Sequence, residues 1–335
     1  MMKEKLKLLF KRLLLYFVGL FLFMIILGII SVILTSDEEN FFTYLYEGNT
    51  EKVLYYIKNK DININITNEY GETPLMVSIS SNYTEMAKEL INSGADINAK
   101  NANFYENYTP LMYASKNGGN EEIVKLLIDK GADLVITNAD GSLHTALMYT
   151  TNTYIAKMLI DAGTDVNITN RVGNALLRDT ICNSEIVKLL IDNGIKINIK
   201  TEFFTPLSYA AYFSDDIKTL KLLIDAGADV NYTNKFGRTA LMSASERGKA
   251  EVVETLIKYG ALINARDHEG VTALMHASKL GKAEAVKTLI EYGALINARD
   301  REGKTALMHV PTNKKDTRIF KYTDTIRILK NFGAY

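Results

Sequence analysis

Histidine and cysteine are the side chains best suited to bind a metal ion or to act as a nucleophile and its base, and this chain has few of them. It contains one cysteine, Cys182, and four histidines, His144, His268, His276 and His309. A single cysteine excludes an internal disulfide framework and a thiolate metal site. His144 and His268 fall in predicted turns, whereas His276 and His309 occupy the same place in two neighbouring sequence units. Because stacked helices lie about 8–10 Å apart, these two imidazoles are too far apart to share a metal ion.

No other motif in the sequence supplies chemistry. There is no Ser/His/Asp or Cys/His arrangement, no phosphate-binding glycine loop and no metal-ligand spacing. The carboxylates recur with the sequence unit, as expected for solvated faces and helix caps. The sequence therefore predicts no catalytic residue, no metal, no cofactor and no small-molecule substrate. An envelope hydrolase or metal-dependent enzyme is an alternative, but it would need convergent polar groups in a cleft.

The elements that position these residues come from an internal repeat. Residues 237–264 recur 33 positions later as residues 270–297, so that Thr239 matches Thr272. A fixed period of this length is typical of a repeat architecture. Such units cannot bury their apolar faces alone, but stacked copies form a continuous core.

Each unit carries two short helical patterns and a turn. Thr272 is a good helix N-cap, and Gly281 ends the helix that follows. Apolar residues within 285–290 form one stripe of a second helix, which Gly293 terminates. The polar segment 298–303 ends in glycine and predicts a tight turn.

The same opening and closing motifs recur over most of the chain. The closing motif is Gly-Ala-Asp-x-Asn or a variant of it. Most opening motifs read Thr-Pro-Leu or Thr-Ala-Leu. The openings begin at Thr73, Thr109, Thr145, Asn174, Thr205, Thr239, Thr272 and Thr305.

This pattern resembles the ankyrin repeat, whose unit reads Thr-Pro-Leu-His-x-Ala and later Gly-Ala-Asp-x-Asn. The resemblance implies an all-α solenoid of helix–turn–helix units with short β-turn fingers over residues 41–335. Residues 41–66 form an N-terminal half-cap in this interpretation. About eight repeats follow, and the last one caps the C-terminus with a helix over 324–330.

The sequence departs from the family pattern at the histidine of the opening motif. That histidine ties neighbouring loops together in the family, so its replacement by mostly apolar residues predicts loops that are held less firmly. The residues in its place are Met76, Met112, Met148, Leu177, Ser208, Met242, Met275 and Met308.

Residues 1–36 differ from the repeats. A basic tail, 1–12, precedes an uncharged apolar run over 13–34. As a helix this run rises about 33 Å, against roughly 30 Å of bilayer hydrocarbon. A cleavable signal peptide usually has a shorter apolar region and an Ala-x-Ala-like site, which is absent before Ser36. We therefore predict an uncleaved transmembrane helix over 13–34 and a linker over 35–40. Cleavage near Ser36, releasing a secreted or periplasmic effector, is the alternative.

The charges around this run predict its orientation. Five Lys/Arg residues precede it, and Asp37, Glu38 and Glu39 follow it, with no Lys/Arg before Lys52. The positive-inside rule then predicts an N-terminus in the cytoplasm and repeats on the outer side, the periplasmic side of a bacterial inner membrane.

The charge of the remaining chain argues against nucleic acid as a partner. Residues 37–335 contain 34 Lys/Arg and 38 Asp/Glu, a net charge near −4. A nucleic-acid-binding surface needs a basic stripe. The one small basic cluster, predicted to be a solvated loop, consists of Lys314, Lys315, Arg318 and Lys321.

Proteins are the remaining class of binding partner. The resemblance implies binding through the turn tips and the concave ends of the first helices, and aromatic and arginine side chains carry binding energy at interfaces. Packing of each tip on its neighbour is the alternative role for these side chains. The sequence thus predicts a non-catalytic, membrane-tethered scaffold whose partner-binding residues are Tyr70, Phe104, Tyr105, Phe203, Tyr212, Phe213, Phe236, Arg247, His268 and Arg301.

Overall fold

The computed structural model describes residues 37–101, 107–116, 118–137, 143–168, 176, 181, 183–199, 203–214, 216–311 and 320–335. The chain divides into two compact units, of which the first ends at Pro110 and the second comprises Leu111–Tyr335. The described residues form fifteen α-helices and little strand. The predicted all-helical repeat fold is therefore confirmed.

Several sequence-based predictions lie outside the described residues. These are the basic tail, the apolar run over 13–34, Cys182 and the basic residues of 314–318. Among the helices that the structure does describe, none has the length and apolar character needed to cross a membrane.

The first unit contains two helix pairs. Its first helix begins at Asp37, so residues 37–40 belong to a helix and not to the predicted linker. Three acidic residues in its first turn explain the earlier start, because negative charge at a helix N-terminus interacts favourably with the helix dipole. The helices are α1 (Asp37–Tyr46), α2 (Thr50–Asn59), α3 (Pro74–Ser80) and α4 (Thr84–Asn92).

The second unit continues the same pattern with eleven helices among its described residues. They are α5 (Pro110–Ser115, which starts at the boundary), α6 (Glu121–Asp129), α7 (Thr153–Asp161), α8 (Ser184–Asp192), α9 (Pro206–Phe213), α10 (Ile217–Asp225), α11 (Ala240–Arg247), α12 (Ala250–Lys258), α13 (Ala273–Lys279), α14 (Ala283–Glu291) and α15 (Phe320–Asn331).

These helices form two layers. The first helices of successive repeats, α9, α11 and α13, pack side by side, and so do the second helices α12, α14 and α15. The last of them, α15, begins four residues before the predicted closing helix at Asp324.

One repeat departs from the all-α prediction. Its residues Val135–Thr137 form strand β1, which pairs antiparallel with β2, Leu143–Thr145. β-branched residues favour such pairing. His144 therefore lies in a strand and not in a turn, and its Nδ1 is 2.7 Å from the Tyr149 hydroxyl. The first helix of this repeat is reduced to a single 3-10 turn, Ala146–Met148.

In several described repeats, the threonine of the opening motif caps the first helix. The Thr239 and Thr272 hydroxyls accept hydrogen bonds from the amides of Met242 and Met275 at 3.3 and 3.4 Å. Both methionines are 1% exposed, so the residue in the place of the family's histidine fills the core. Met308 in the last repeat is the contrast, with 53% exposure.

Each repeat contributes a small apolar core. In the repeat that starts at Thr239, Leu241 and Ala244 of α11 meet Val253 and Leu256 of α12, and all four are at most 1% exposed. Small residues on the first helix let neighbouring repeats approach closely. Burial of one such leucine stabilises the fold by roughly 1.5–3 kcal/mol.

In five repeats, an asparagine at the end of the closing motif joins the repeat to the next one. The Asn231 side chain donates to the Gly260 carbonyl at 3.1 Å and accepts from the Leu262 amide at 2.8 Å. We call this series the asparagine ladder. It satisfies loop backbone groups that would otherwise need water. The same pair of bonds is made by Asn167, Asn198, Asn264 and Asn297.

Four of the described fingers are turns closed by an Asn or Asp side chain. The Oδ1 atom of this residue accepts from amides two and four residues later at 2.8–3.0 Å, as in Asn68, Asn234, Asp267 and Asp300. This Asx geometry stabilises a turn locally.

Consecutive fingers are also joined through their backbones. The His268 amide donates to the Phe236 carbonyl at 3.0 Å, and the Arg301 amide donates to the Glu269 carbonyl at 3.1 Å. Gly237 makes the first approach possible, because it has φ +77° and a Cβ there would lie 2.6 Å from His268 Cδ2. These fingers therefore remain connected although the family's histidine is absent.

Candidate protein-binding groove

Two exposed phenylalanines lie side by side on neighbouring fingers of the second unit. The ring centroids of Phe203 and Phe236 are 5.9 Å apart, and the Asn234 side-chain amide donates to the Phe203 carbonyl. The tips therefore do pack on one another. Even so, Phe203 is 53% exposed and Phe236 is 42% exposed, so both rings keep a large solvent-facing surface.

The aromatic surface continues onto helix α9. The Phe204 ring lies 5.5 Å from Tyr209, 5.4 Å from Tyr212 and 5.6 Å from Phe213. Tyr209 and Phe213 are four residues apart on one helical face, which brings their centroids to 4.3 Å. Phe213 remains 43% exposed. The finger and the end of the first helix thus form one aromatic cluster.

Two cations lie over these rings. Lys235 Nζ is 5.9 Å from the Phe203 centroid and 5.3 Å from the Phe236 centroid. The Arg247 guanidinium lies 5.1 Å from the Tyr212 centroid. Each such contact contributes about 0.5–1 kcal/mol at an exposed site. The aromatic cluster therefore has positive charge beside it.

The other side of the groove is polar. Arg238 Nη1 lies 3.4 Å from Glu246 Oε2, and its Nε lies 4.0 Å from Asp267 Oδ2. The same Asp267 oxygen is 3.2 Å from His276 Nε2. This series of side-chain contacts connects one repeat to the next and orients Arg238 at the groove.

The two neighbouring histidines pair with aspartates of their own repeats. His309 Nε2 lies 2.8 Å from Asp300 Oδ2, at the same spacing of nine residues as His276 and Asp267. His276 is 6% exposed and points its Nε2 atom at the finger, so it acts as a support for the turn. Within the described part of the chain, no group of three or more His, Cys, Asp or Glu residues is placed to hold a metal ion.

These features enclose a groove of about 370 Å³, which we call the aromatic groove. It is apolar at the end near Phe203 and polar at the end near Asp267. It is lined by Phe203, Phe204, Asn234, Phe236, Arg238, Ser243, Glu246, Asp267, His268 and Glu269.

The finger aspartates make the stability of the fold decrease at acid pH. Burial raises the pKa of Asp267, but hydrogen bonds from His276 and from the Val271 and Glu269 amides outweigh it and hold that pKa below its ordinary value. A carboxyl whose pKa is lowered by folding adds stability above its unfolded pKa of about 3.9, and loses it as the pH falls through the folded pKa.

We expect Asp267→Asn to weaken this pH dependence. Asparagine keeps the Oδ1 acceptor of the turn, as Asn234 shows in the preceding finger, but removes the charge. The difference in melting temperature between pH 7 and pH 3 should be smaller in the variant than in the wild type. Asp225→Asn, at an exposed carboxylate, is the control. An unchanged difference for Asp267→Asn would contradict the expected linkage.

The structure brings together most of the predicted partner-binding residues. Six of them meet at or beside the aromatic groove: Phe203, Tyr212, Phe213, Phe236, Arg247 and His268.

The other four predicted residues are not part of this site. Tyr70 is 66% exposed and belongs to the first unit. Arg301 lies on the finger that follows the groove. Phe104 and Tyr105 lie outside the described residues.

Sequence reasoning missed Phe204 and Arg238. Both immediately precede the threonine that opens a repeat, a position that carries Glu72, Tyr108, His144, Val271 and Lys304 elsewhere. Because Tyr108 at this register is buried, an aromatic residue there was not a usable signal for Phe204. No local signal existed for Arg238, whose partners Glu246 and Asp267 come from the next helix and the next finger.

The comparison with protein families identifies the class of this repeat fold. The model described as ankyrin repeats (3 copies) matches residues 41–138, 111–201, 143–234, 207–300 and 265–329. These matches cover more than half of the chain, so the chain belongs to the ankyrin-repeat family. The repeats imply a protein–protein interaction scaffold.

Individual relatives match shorter stretches. Ankyrin repeat and SAM domain-containing protein 6 of Rattus norvegicus is 31% identical over 110 residues, or 32% of this chain and 12% of the rat protein. An ankyrin repeat protein of Rickettsia bellii is 35% identical over 109 residues, or 29% of this chain and 63% of that protein. Protein phosphatase 1 regulatory subunit 27 of Homo sapiens is 30% identical over 108 residues, or 32% of this chain and 68% of that protein. The chain thus spans only about an eighth of the rat relative.

Proposed function

We propose that this protein is a non-catalytic scaffold that binds a protein partner at the aromatic groove, and that residues 13–34 hold its repeats at a membrane. The aromatic surface of the groove carries this proposal. Phe203 and Phe236 line the groove side by side and are still 53% and 42% exposed. Exposed apolar clusters of this kind are typical of interaction sites.

The composition of the groove supports a protein partner. Aromatic and arginine side chains carry most of the binding energy at protein interfaces. Phe236 and Arg238 line the groove and are of these types, and the hydrogen bonds of the fingers hold the backbone that presents Phe236. A surface that is rigid before binding loses less conformational entropy when a partner binds.

Photocross-linking in the protein's own cells tests the groove. A photoreactive phenylalanine analogue at Phe236 should form a covalent adduct with a protein partner. The matched control is the same analogue at Tyr154, which is 58% exposed on α7 and does not line the groove. Adducts that are equal at both positions, or absent from Phe236, would contradict the proposal.

The proposed tether rests on the apolar run over 13–34 and on the charges that flank it. Protease added to cells with a permeabilised outer membrane should digest the repeats and leave an N-terminal fragment in the inner membrane. Protection of the repeats until the inner membrane is lysed would reverse the orientation. A soluble mature chain that begins after Ser36 would favour the secreted effector instead.

A further inference from the structure

The last three repeats differ from the others on a second surface, at the loop that follows each second helix. Two residues after the loop glycine, the earlier repeats carry a charged side chain: Asp96, Asp133, Asp165, Lys196 and Asp229. The last three carry Leu262, Leu295 and Tyr335 at this register.

The residue just before the same glycine changes in the same way. It is Ser93, Lys130, Ala162, Asn193 or Ala226 in the earlier repeats and Tyr259, Tyr292 or Phe332 in the last three. The two sets form a helix-end row (Tyr259, Tyr292, Phe332) and a loop row (Leu262, Leu295, Tyr335). We call the two rows together the apolar stripe.

All six side chains of the apolar stripe face solvent. Exposure in the helix-end row is 40–48%, and in the loop row it is 60–72%. The earlier repeats carry small or polar residues at these positions. A repeat can therefore fold without apolar residues there. The stripe is therefore an addition to the repeat and not a part of its core.

Hydrogen bonds between repeats place the members of each row next to one another. The Leu295 amide donates to Asn264, two residues after Leu262, and the Tyr335 amide donates to Asn297, two residues after Leu295. The Tyr292 hydroxyl donates to Glu254 Oε1 of the preceding repeat at 2.9 Å. Each row thus has one residue from each of the last three repeats, in the order of the repeats.

The exposed area of the stripe is at the upper end for a monomer and approaches one side of a stable interface. With roughly 150–250 Å² for a whole aromatic side chain, the six partly exposed residues present on the order of 600 Å². The largest apolar patch of an ordinary monomer is about 300–600 Å². A stable interface removes about 800 Å² from each partner, so the stripe would supply most of one side.

Two ion pairs lie near the stripe. Glu254 lies 2.6 Å from Lys258, which lowers the pKa of Glu254, and Lys287 lies 3.9 Å from Glu291. Charge complementarity selects between partners. Because opposite charges here already lie beside each other, the stripe is not directed towards a strongly charged partner.

We propose that the apolar stripe binds the same stripe of a second copy of this chain. A two-fold axis parallel to the rows exchanges them, so that the helix-end row of each copy packs on the loop row of the other. Tyrosine and phenylalanine rings then meet leucine side chains, which suits an isologous contact. This proposal does not depend on the aromatic groove or on the membrane tether.

Leu295→Asp tests the proposal at the centre of the stripe. This change restores the residue type that Asp96 and Asp229 have at the same register, so the repeat should still fold. The full chain should sediment as a dimer of 37.5 kDa subunits in density-matched detergent. The variant should raise the dissociation constant roughly 100-fold or more, because an unpaired carboxylate would be buried at the contact.

Tyr154→Asp is the matched control, since it adds the same charge at a residue with 58% exposure outside the stripe. It should remain dimeric, and all chains should keep the same circular dichroism spectrum. A wild-type chain that is monomeric at every concentration overturns the proposal. Equal dimerisation of Leu295→Asp and the wild type also overturns it, because the contact would then lie elsewhere.

Disulfide trapping tests the exchange of rows. Leu295→Cys and Tyr292→Cys chains, each also carrying Cys182→Ser, are mixed and oxidised. The proposed axis predicts more disulfide between the two different chains than within either kind alone. A predominance of disulfides between identical chains would overturn the row-exchanging contact.

Discussion

Replacement of Leu256 by alanine is expected to lower the free energy of unfolding by about 3 kcal/mol. Leu256 lies on α12 with no exposed surface, among the side chains that close the core of its repeat. Removing the branched end of its side chain loses the free energy that those carbon atoms gain on transfer from water to the core, and it also leaves a cavity. The neighbouring repeats restrict how far the site can collapse, because they pack on both layers of helices.

Met308→Ala is the control for this experiment. It also truncates a large apolar side chain to alanine, but Met308 is 53% exposed and lies outside the apolar stripe, so the loss should be below about 0.5 kcal/mol. Urea unfolding of the full chain, followed by circular dichroism in detergent, measures both variants. Equal midpoints for the two alanine variants would contradict the assignment of Leu256 to the core.

Asn231→Ala is expected to destabilise the chain by about 2 kcal/mol through the asparagine ladder. Two hydrogen bonds are lost at once, one to the Gly260 carbonyl and one from the Leu262 amide. Both join one repeat to the next, so the effect falls on the coupling between repeats. In a repeat array this coupling makes unfolding cooperative. The urea transition should therefore broaden as well as move to lower urea.

Asn231→Asp separates the two bonds. Aspartate keeps an acceptor for the Leu262 amide but cannot donate to the Gly260 carbonyl. It should be intermediate between the wild type and Asn231→Ala. If Asn231→Ala leaves both the midpoint and the width of the transition unchanged, the ladder does not couple the repeats in solution.

The repeat pattern was predictable because its signals are local. Threonine caps such as Thr239, loop glycines such as Gly260 and apolar stripes at helical spacing lie within a few residues of the elements that they specify. The period of 33 residues then placed equivalent residues on successive repeats. The fingers and the first-helix ends followed from that register, and six predicted partner-binding residues did meet there.

The tertiary structure decided which of these residues form one site. Phe203 meets Phe236, and Arg247 lies over Tyr212, across about one repeat of sequence. The pairing of Arg238 with Asp267 also joins two repeats. Such contacts depend on rotamers and on the packing of the next repeat, which a periodic pattern does not specify.

The departures from prediction have the same physical origin. Pairing of Val135–Thr137 with Leu143–Thr145 needs a partner strand, and local helical spacing does not reveal it. The exposure of Leu262 and Leu295 was equally difficult to predict from the sequence, because a leucine in a repeat is normally assigned to the core. The sequence alone determined the family and the all-helical repeat fold. Only tertiary packing determined which residues form the aromatic groove and how far the side chains of the apolar stripe are exposed, because both depend on how residues of different repeats pack.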